Sequence, residues 1–187
     1  EATTNLLYLI QTSDDLAEPT RQLALAADAE LKRVAHITRQ SLGFYREGSG
    51  PAPTSVTELL DASVDLLRAK VILKQAHIRR DWIGSYVVQA VSGELRQVFS
   101  NLLANALDAL EPGGQVRIRV RHYPSSVSFS GRLVRITFAD EGKGIAPEVQ
   151  AKVFDPLFST KGKLGTGLGL WVTKQLTAKH KGTIRMR

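Results

Sequence analysis

The sequence predicts an α+β protein, a two-layer α/β sandwich in which helices cover one face of a mixed sheet, preceded by an antiparallel helical hairpin. Three observations predict this fold class. Apolar residues between Leu23 and Tyr45 recur at helical steps of three and four. Residues Glu94–Leu110 form a second amphipathic helical pattern. Residues Gln115–His122 alternate valine or isoleucine with arginine, which is the period of a half-buried strand.

The first region, residues 1–47, is expected to form the hairpin. A long helix with a narrow apolar stripe cannot bury that stripe alone, so it needs a helical partner. We expect residues 1–12 to pack against residues 23–45, and two such hairpins to dimerise into a four-helix bundle. Packing of the long helix on its own following domain is the alternative.

The glycines and prolines of residues 48–53 form the predicted linker to a second domain, residues 54–187. The elements of that domain are predicted as helices over Val56–Lys70 and from Ser92 or Gly93 to Leu110, and as strands over Ala76–Trp82, Gln115–His122 and Leu133–Ala139. A turn at Pro124–Gly131 joins the last two strands.

The composition is that of an ordinary globular protein with a basic second part. The net charge is +7, and residues 51–187 carry 20 Lys/Arg against 11 Asp/Glu. A basic surplus suits an anionic partner, either nucleic acid or polyphosphate, although it is also compatible with a merely soluble surface. The absence of cysteine excludes a disulfide scaffold and a thiolate metal site. No apolar run approaches the roughly 18 residues of a membrane span, so we expect a cytoplasmic fragment without membrane contact, whose parent protein can still be membrane-anchored.

A polar stripe runs along the predicted helix Glu94–Leu110. Its members are Gln97, Asn101, Asn105 and Asp108, and the neighbouring apolar stripe holds Leu95, Phe99, Leu102, Ala106 and Leu110. Asparagine is a poor helix former, and amides at a partly buried cleft cost free energy unless something pairs with them. The stripe therefore indicates a ligand rich in hydrogen-bonding groups or a hydrated cation, or else an amide ladder to a neighbouring loop.

Two glycine-containing segments follow this helix. Asp140 ends a predicted strand, and Gly142 and Gly144 after it would let a flat ligand approach the backbone while the carboxylate accepts a hydrogen bond. Further along, Phe158-Ser159-Thr160-Lys161 leads into Gly165-Thr166-Gly167-Leu168-Gly169, where alternate glycines at the start of a helix expose N–H groups to an anion. Either segment alone is also compatible with an ordinary turn or a flexible loop.

Taken in order, N-x-x-x-N-A-x-D-A, D-x-G-x-G, F-D-P-L-F-S-T-K and G-T-G-L-G-L resemble the N, G1, F and G2 boxes of the sensor histidine kinase catalytic domain. That domain has the Bergerat (GHKL) ATP-binding fold, and the resemblance covers Val56–Arg187. Val34–Glu47 also looks like the second helix of the family's dimerisation and phosphotransfer hairpin. The resemblance implies ATP and Mg²⁺ as cofactors. It also implies a homodimer through the N-terminal helices and a response regulator receiver domain as partner, without nucleic acid.

Carried over box by box, the resemblance makes Asn105 the Mg²⁺ ligand and Asp140 the acceptor for the adenine amino group. Asn101 and Lys161 are the expected catalytic residues, and both also contact the nucleotide. The other residues expected to bind the nucleotide are Asp108, Gly142, Gly144, Phe158, Ser159, Thr160, Gly165, Thr166, Gly167, Leu168 and Gly169. Phe158–Lys161 would belong to a mobile lid.

The position of Asn101 bears on the reaction. ATP-hydrolysing relatives of the same fold, such as DNA gyrase, carry a glutamate there, one turn before the metal-binding asparagine. An amide cannot accept a proton as a general base near pH 7, so we favour transfer of the ATP γ-phosphoryl group to a histidine of the dimerisation domain, for relay to a response regulator aspartate. No histidine of this chain stands in the family's acceptor context. A GHKL-type ATPase and a non-catalytic nucleotide-binding scaffold are the alternatives.

Overall fold

The computed structural model describes residues 10, 12, 17–28, 31, 50–124, 132–160 and 166–186. Residues 18–28 are helical, in agreement with the helical character predicted for the N-terminal region, and the rest of the predicted hairpin lies outside the described residues. The chain divides into two compact units, Glu1–Phe44 and Tyr45–Arg187. No helix in the described part of the chain is both long and apolar enough to cross a bilayer.

The second unit contains a small sheet that the sequence does not predict. Strand β1 (Ala52–Ser55) pairs antiparallel with β3 (Val87–Ala90), so Ala52 and Pro53 of the predicted linker belong to a strand. Thr54 contacts both strands, because its hydroxyl lies 2.9 Å from Ala52 O and 3.1 Å from Ala90 O and shares its proton between them. Strands of four residues, one of them containing a proline, carry too little alternation to be predicted from period alone.

Two consecutive helices follow β1. Ser55 begins α1 (Val56–Leu66), since its hydroxyl accepts the Glu58 N–H at 3.4 Å. The sequence predicts one helix over Val56–Lys70, but the structure breaks it at Leu67 and continues it as α2 (Arg68–Leu73). The Leu67 N–H is shared between the carbonyls of Ser63 and Val64, at 3.3 and 3.1 Å, which tightens the last turn of α1.

The main sheet is mixed, as predicted. Among the described residues its order is β2 (His77–Asp81), β4 (Gln115–Pro124) and β5 (Arg132–Asp140). Strands β2 and β4 are parallel, whereas β4 and β5 are antiparallel. The alternation of β4 is also confirmed, because Val116, Ile118 and Val120 are fully buried. The turn predicted at Pro124–Gly131 falls almost entirely outside the described residues, and Pro124 itself still belongs to β4.

Helix α3 (Ser92–Ala109) is the centre of the core. It packs on α1, on β5 and on α5 (Gly169–Lys179), which follows the short helix α4 (Pro147–Gln150). The Phe99 ring lies 6.3 Å from the Phe138 ring of β5. The predicted apolar stripe is only partly right, because Leu95 and Leu102 are half-buried while Val98, Leu103 and Leu107 belong to the core. A helix enclosed by a sheet and two other helices buries a wider face than one stripe.

Candidate functional site

The polar stripe of α3 lies along the border of the core. Gln97, Asn101 and Asn105 are half-buried, which agrees with their predicted position at the edge of a cleft, whereas Asp108 near the C-terminal end is exposed. The amide side chains are therefore neither in ordinary core nor on a fully solvated face.

Asn101 connects α3 to the first turn of α5. Its Nδ2 donates to Gly169 O at 3.1 Å and lies 3.5 Å from Thr173 Oγ1. Thr173 is fully buried, and its hydroxyl donates to the same Gly169 carbonyl at 2.8 Å. The contact brings the amide stripe against the second glycine segment, although the two are 68 residues apart in the sequence.

Asp108 has a different neighbour from the other members of the stripe. Its carboxylate forms an ion pair with Lys70 of α2 at 2.5 Å. Lys74, the residue directly after α2, donates to Leu110 O at 2.7 Å, which is the carbonyl directly after the end of α3. The C-terminal end of α3 is thereby held by two lysines that sequence reasoning does not predict.

The loop after β5 is seated on this same end of α3. Asp140 Oδ1 accepts the Gly142 N–H at 3.0 Å, and the Lys143 N–H donates to Ala109 O at 3.3 Å. A Cβ atom on Gly142 would lie 2.6 Å from Ala109 Cβ and 2.6 Å from Asp140 Oδ1, so only glycine fits. Gly144 has a left-handed backbone, with φ of 68°, which glycine adopts without strain. Asp140 itself is exposed at the mouth of this loop.

The predicted lid segment and the second glycine segment touch through their backbones. Gly167 has φ of 67°, and a Cβ atom there would lie 2.2 Å from the Leu157 carbonyl carbon and 2.6 Å from Phe158 N. Leu157 also has a positive φ, 64°, and its side chain is exposed. Phe158 and Ser159 are half-buried, while Thr160 is exposed. Close backbone contact is thus the physical reason for glycine at 167.

Helix α5 begins at Gly169, two residues after Gly167. Leu168 is its N-cap and makes no side-chain capping bond, although the Leu168 N–H donates to Thr166 Oγ1 at 3.4 Å. The helix therefore starts with Gly169 and with backbone N–H groups that no N-cap side chain covers, which is the arrangement that binds anions. Trp171 is half-buried in this first turn.

These elements agree with a family of known proteins. A family model described as histidine kinase-, DNA gyrase B-, and HSP90-like ATPase matches residues 90–187, which is more than half of the chain. The chain belongs to this ATPase family. The match confirms the resemblance drawn from the four boxes, and it begins at the end of β3, so it includes α3 and both glycine segments.

Individual relatives place the chain within the family. It is 39% identical over 182 residues to the signal transduction histidine-protein kinase AtoS of Escherichia coli (strain K12), which covers 94% of this chain and 28% of AtoS. A mycobacterial sensor histidine kinase, MprB, is similar in structure with a TM-score of 0.60 and 27% identity, over 70% of this chain and 80% of that one. The region is therefore an ATPase domain of the histidine kinase type.

A third similarity concerns the fold alone. The histidine kinase ThkA in complex with response regulator protein TrrA has a TM-score of 0.65 over 97% of this chain and 51% of that one, at 21% identity. It confirms the predicted sandwich architecture. The chain spans 18–25% of the length of three further curated relatives, so it corresponds to one part of longer proteins.

Several predicted residues of the ATPase site are brought together and others are not. Asn101 meets Gly169, Gly142 meets the end of α3, and Gly167 meets Phe158. Lys161 and Gly165 lie outside the described residues. The contacts of Thr173 and Ala109 are missed by sequence reasoning, although Thr173 stands one helical turn after Gly169, which was a usable signal.

The solvent face of the main sheet carries the arginines of β4. Asp81 of β2 accepts from Arg121 at 2.5 Å and from Arg119 at 2.7 Å. The hydrogen bond from Arg121 is the larger cause and that from Arg119 the second, and together they lower the pKa of Asp81 from 3.8 to about 2. Arg119 and Arg121 thus form an ion-pair cluster with Asp81 on the solvent-facing side of the strand, the side that the half-buried pattern predicts.

Proposed function

We propose that this chain binds ATP with Mg²⁺ between α3, the loop after β5 and the start of α5, and directs the γ-phosphoryl group to a protein histidine. The observation that carries the proposal is the hydrogen bond from Asn101 to Gly169 O at 3.1 Å, which joins the amide stripe to the helix start expected to hold phosphates. Membership of the ATPase family supports the use of ATP.

The adenine end of the proposed site is the loop after β5. Asp140 accepts a hydrogen bond from the 6-amino group of adenine. Its carboxylate is exposed, and the hydrogen bond from the Gly142 N–H at 3.0 Å already orients it. The missing Cβ of Gly142 lets this loop lie against Ala109, whereas a Cβ atom on Gly144 would meet nothing within 4 Å, so the backbone there is open to a flat base. A carboxylate that accepts from a neutral amine forms a charge-assisted bond, which is among the stronger hydrogen bonds in proteins.

The phosphate end is divided between two helices. Asn105 holds Mg²⁺ through its amide oxygen, which is the kind of ligand this ion prefers, and Asn101 supports that arrangement from one turn before. When bound, Mg²⁺ neutralises charge on the phosphates. Asp108 lies on the same stripe. The remaining contacts with the nucleotide come from the lid and from the N–H groups of the second glycine segment. The residues that contribute them are Phe158, Ser159, Thr160, Lys161, Gly165, Thr166, Gly167, Leu168 and Gly169.

Phosphoryl transfer fits these residues better than hydrolysis does. Asn101 stands where hydrolysing relatives carry a glutamate, and an amide does not take a proton from water. Glu94, the other acid on α3, is buried and faces Lys179 and His180 at the opposite end of the helix. A histidine acceptor needs no such base, because its imidazole nitrogen is itself the nucleophile.

The acceptor and partners follow from the same proposal. We place the acceptor histidine on the dimerisation hairpin of the full-length protein, which forms a homodimer through the N-terminal helices, residues 1–47. The phosphoryl group then passes to an aspartate of a response regulator receiver domain in the cytoplasm. The domain division at residues 48–53 and the Mg²⁺ requirement belong to this proposal as well.

Radiolabelled ATP tests the proposal in the full-length protein. We expect label on the protein that is acid-labile and base-stable, and its loss in Asp140→Asn, whose affinity for ATP should fall roughly ten- to hundredfold. Asp65→Asn, the same chemical change at an exposed position of α1, is the matched control and should label normally. Release of free phosphate without protein label would favour an ATPase, and binding without either product would favour a signalling scaffold.

A further inference from the structure

Glu94 is a buried carboxylate that the proposed chemistry does not use. Its side chain is 5% exposed, and it lies in the first turn of α3, two turns before Asn101. Burying a carboxylate is costly unless cations or hydrogen-bond donors compensate it. The residues that compensate the Glu94 carboxylate therefore indicate what this buried side chain does in the fold.

The partners are the last residue of α5 and the residue that caps it. Lys179 Nζ donates to Glu94 Oε1, and His180 Nε2 lies 3.0 Å from Glu94 Oε2. Neither Glu94 Oε2 nor His180 Nε2 has a well-aligned hydrogen-bond partner among the described residues, so the bond from Lys179 is the defined hydrogen bond of this group. We call these three residues the anchor cluster.

Helix polarity favours the anchor cluster at both ends. A carboxylate is stabilised at the N-terminus of a helix and cations at the C-terminus, because of the partial charges on the unpaired backbone groups. Glu94 is in the first turn of α3, while Lys179 and His180 are at the end of α5. The two helices therefore run antiparallel where the cluster joins them.

The same two helices are joined again at the proposed phosphate site. Asn101 is two turns after Glu94 on α3, about 10 Å along the helix at 1.5 Å per residue, and it donates to Gly169 at the opposite end of α5. Because α5 is attached to α3 at two positions along the helix, these contacts limit both sliding and tilting of α5 along α3. The second attachment consists of neutral hydrogen bonds from Asn101 to Gly169 O and Thr173 Oγ1, whereas the anchor cluster contains a charge-assisted bond from Lys179 to the buried Glu94 carboxylate and is therefore the stronger of the two.

From these contacts we infer that Glu94 is a positioning residue for the nucleotide site. It holds the C-terminal end of α5, so that the N–H groups at the other end stand opposite Asn101 and Asn105. The inference rests on the proposed function, because it concerns the same phosphate-binding groups. Loss of the anchor leaves both halves of the site intact but allows their spacing to vary.

Titration calorimetry with Mg²⁺ and a non-hydrolysable ATP analogue tests the inference. Glu94→Gln should weaken binding by about tenfold or more, the scale on which misplaced supporting groups act. Lys179→Met should act in the same direction, because it removes the cation that compensates the Glu94 carboxylate while its own side chain is 56% exposed. Val64→Ala is the stability control, because it truncates a buried side chain of α1 and should lower the melting temperature without changing affinity.

Spacing can be measured directly because the chain has no cysteine. Spin labels at Arg96→Cys and Gln175→Cys, both exposed, report the separation of α3 and α5. Glu94→Gln should broaden this distance distribution, whereas Val64→Ala should leave it unchanged. If Glu94→Gln had the affinity and the distance distribution of the wild type, the inference would be overturned. Binding of the analogue by the wild type would still uphold the proposed function in that case. Failure of the wild type to bind the analogue would overturn both.

Discussion

The seat of Gly142 on the end of α3 leads to a sharp prediction for Gly142→Ala. The added Cβ would stand 2.6 Å from Ala109 Cβ, 2.6 Å from Asp140 Oδ1 and 2.8 Å from Ala109 O. Carbon atoms in contact are normally about 3.5–4.0 Å apart, so the loop must retreat by roughly 1 Å. Ala109 cannot give way, since both of its atoms are fixed by the helix.

The displacement of the loop should also displace the Asp140 carboxylate, because the Gly142 N–H donates to it at 3.0 Å. Losing a charge-assisted hydrogen bond to the ligand costs about 1.5–3 kcal/mol, which weakens nucleotide binding roughly ten- to hundredfold. The added methyl group should also lower the free energy of unfolding by about 1–3 kcal/mol through overpacking.

Calorimetric titration of the wild type and the variant with the Mg²⁺-bound ATP analogue measures the first effect, and urea unfolding measures the second. Gly84→Ala is the control for an added methyl group without a steric clash, because Gly84 has a positive φ, 88°, which Gly142 does not share, and a Cβ atom there meets nothing within 4 Å. It should cost about 1–2 kcal/mol of stability through backbone strain and leave affinity unchanged. Wild-type affinity in Gly142→Ala would refute the steric reasoning.

Three further substitutions follow from the structure. Asn105→Ala should abolish the Mg²⁺ dependence of nucleotide binding, measured by titration with and without chelator, and a retained dependence would place the ion on another residue. Gly167→Ala should lower the melting temperature by roughly 5 °C or more, because its Cβ would lie 2.2 Å from the Leu157 carbonyl carbon; an unchanged scan would contradict this. Asp81, whose pKa is lowered to about 2, stabilises the fold above pH 4 and loses this contribution as the pH falls towards 2. Urea unfolding between pH 5 and 2 should therefore show a steeper loss of stability in the wild type than in Asp81→Asn, and parallel profiles would argue against the cluster.

The elements with a strong period could be predicted from the sequence, and those with a weak one could not. Helix α3 and strand β4 are close to their predicted limits, because their apolar residues follow one period over many positions. Strands β1 and β3 are missed, since their pairing depends on two four-residue segments meeting across 36 positions. The break at Leu67 is local hydrogen-bond geometry that an uninterrupted apolar pattern conceals.

The site divides in the same way. Residue type and order were enough to nominate Asn101, Asp140 and the glycines, because their chemistry is expressed in the sequence itself. Lys70, which pairs with Asp108, and Thr173, which contacts Asn101, could not be predicted as neighbours of the site. They belong to elements whose packing is known only in three dimensions. The need for glycine at 167 likewise depends on the backbone of Leu157 across the loop.

Trp171 gives the molecule a built-in optical reporter. The indole is attached to the helical turn that starts at Gly169, so a change in polarity there should alter the wavelength or yield of its emission. The chain has two tryptophans, and the second, Trp82, follows β2. In a Trp82→Phe background, rapid mixing with nucleotide would therefore time the arrival of phosphates at this turn without any attached dye.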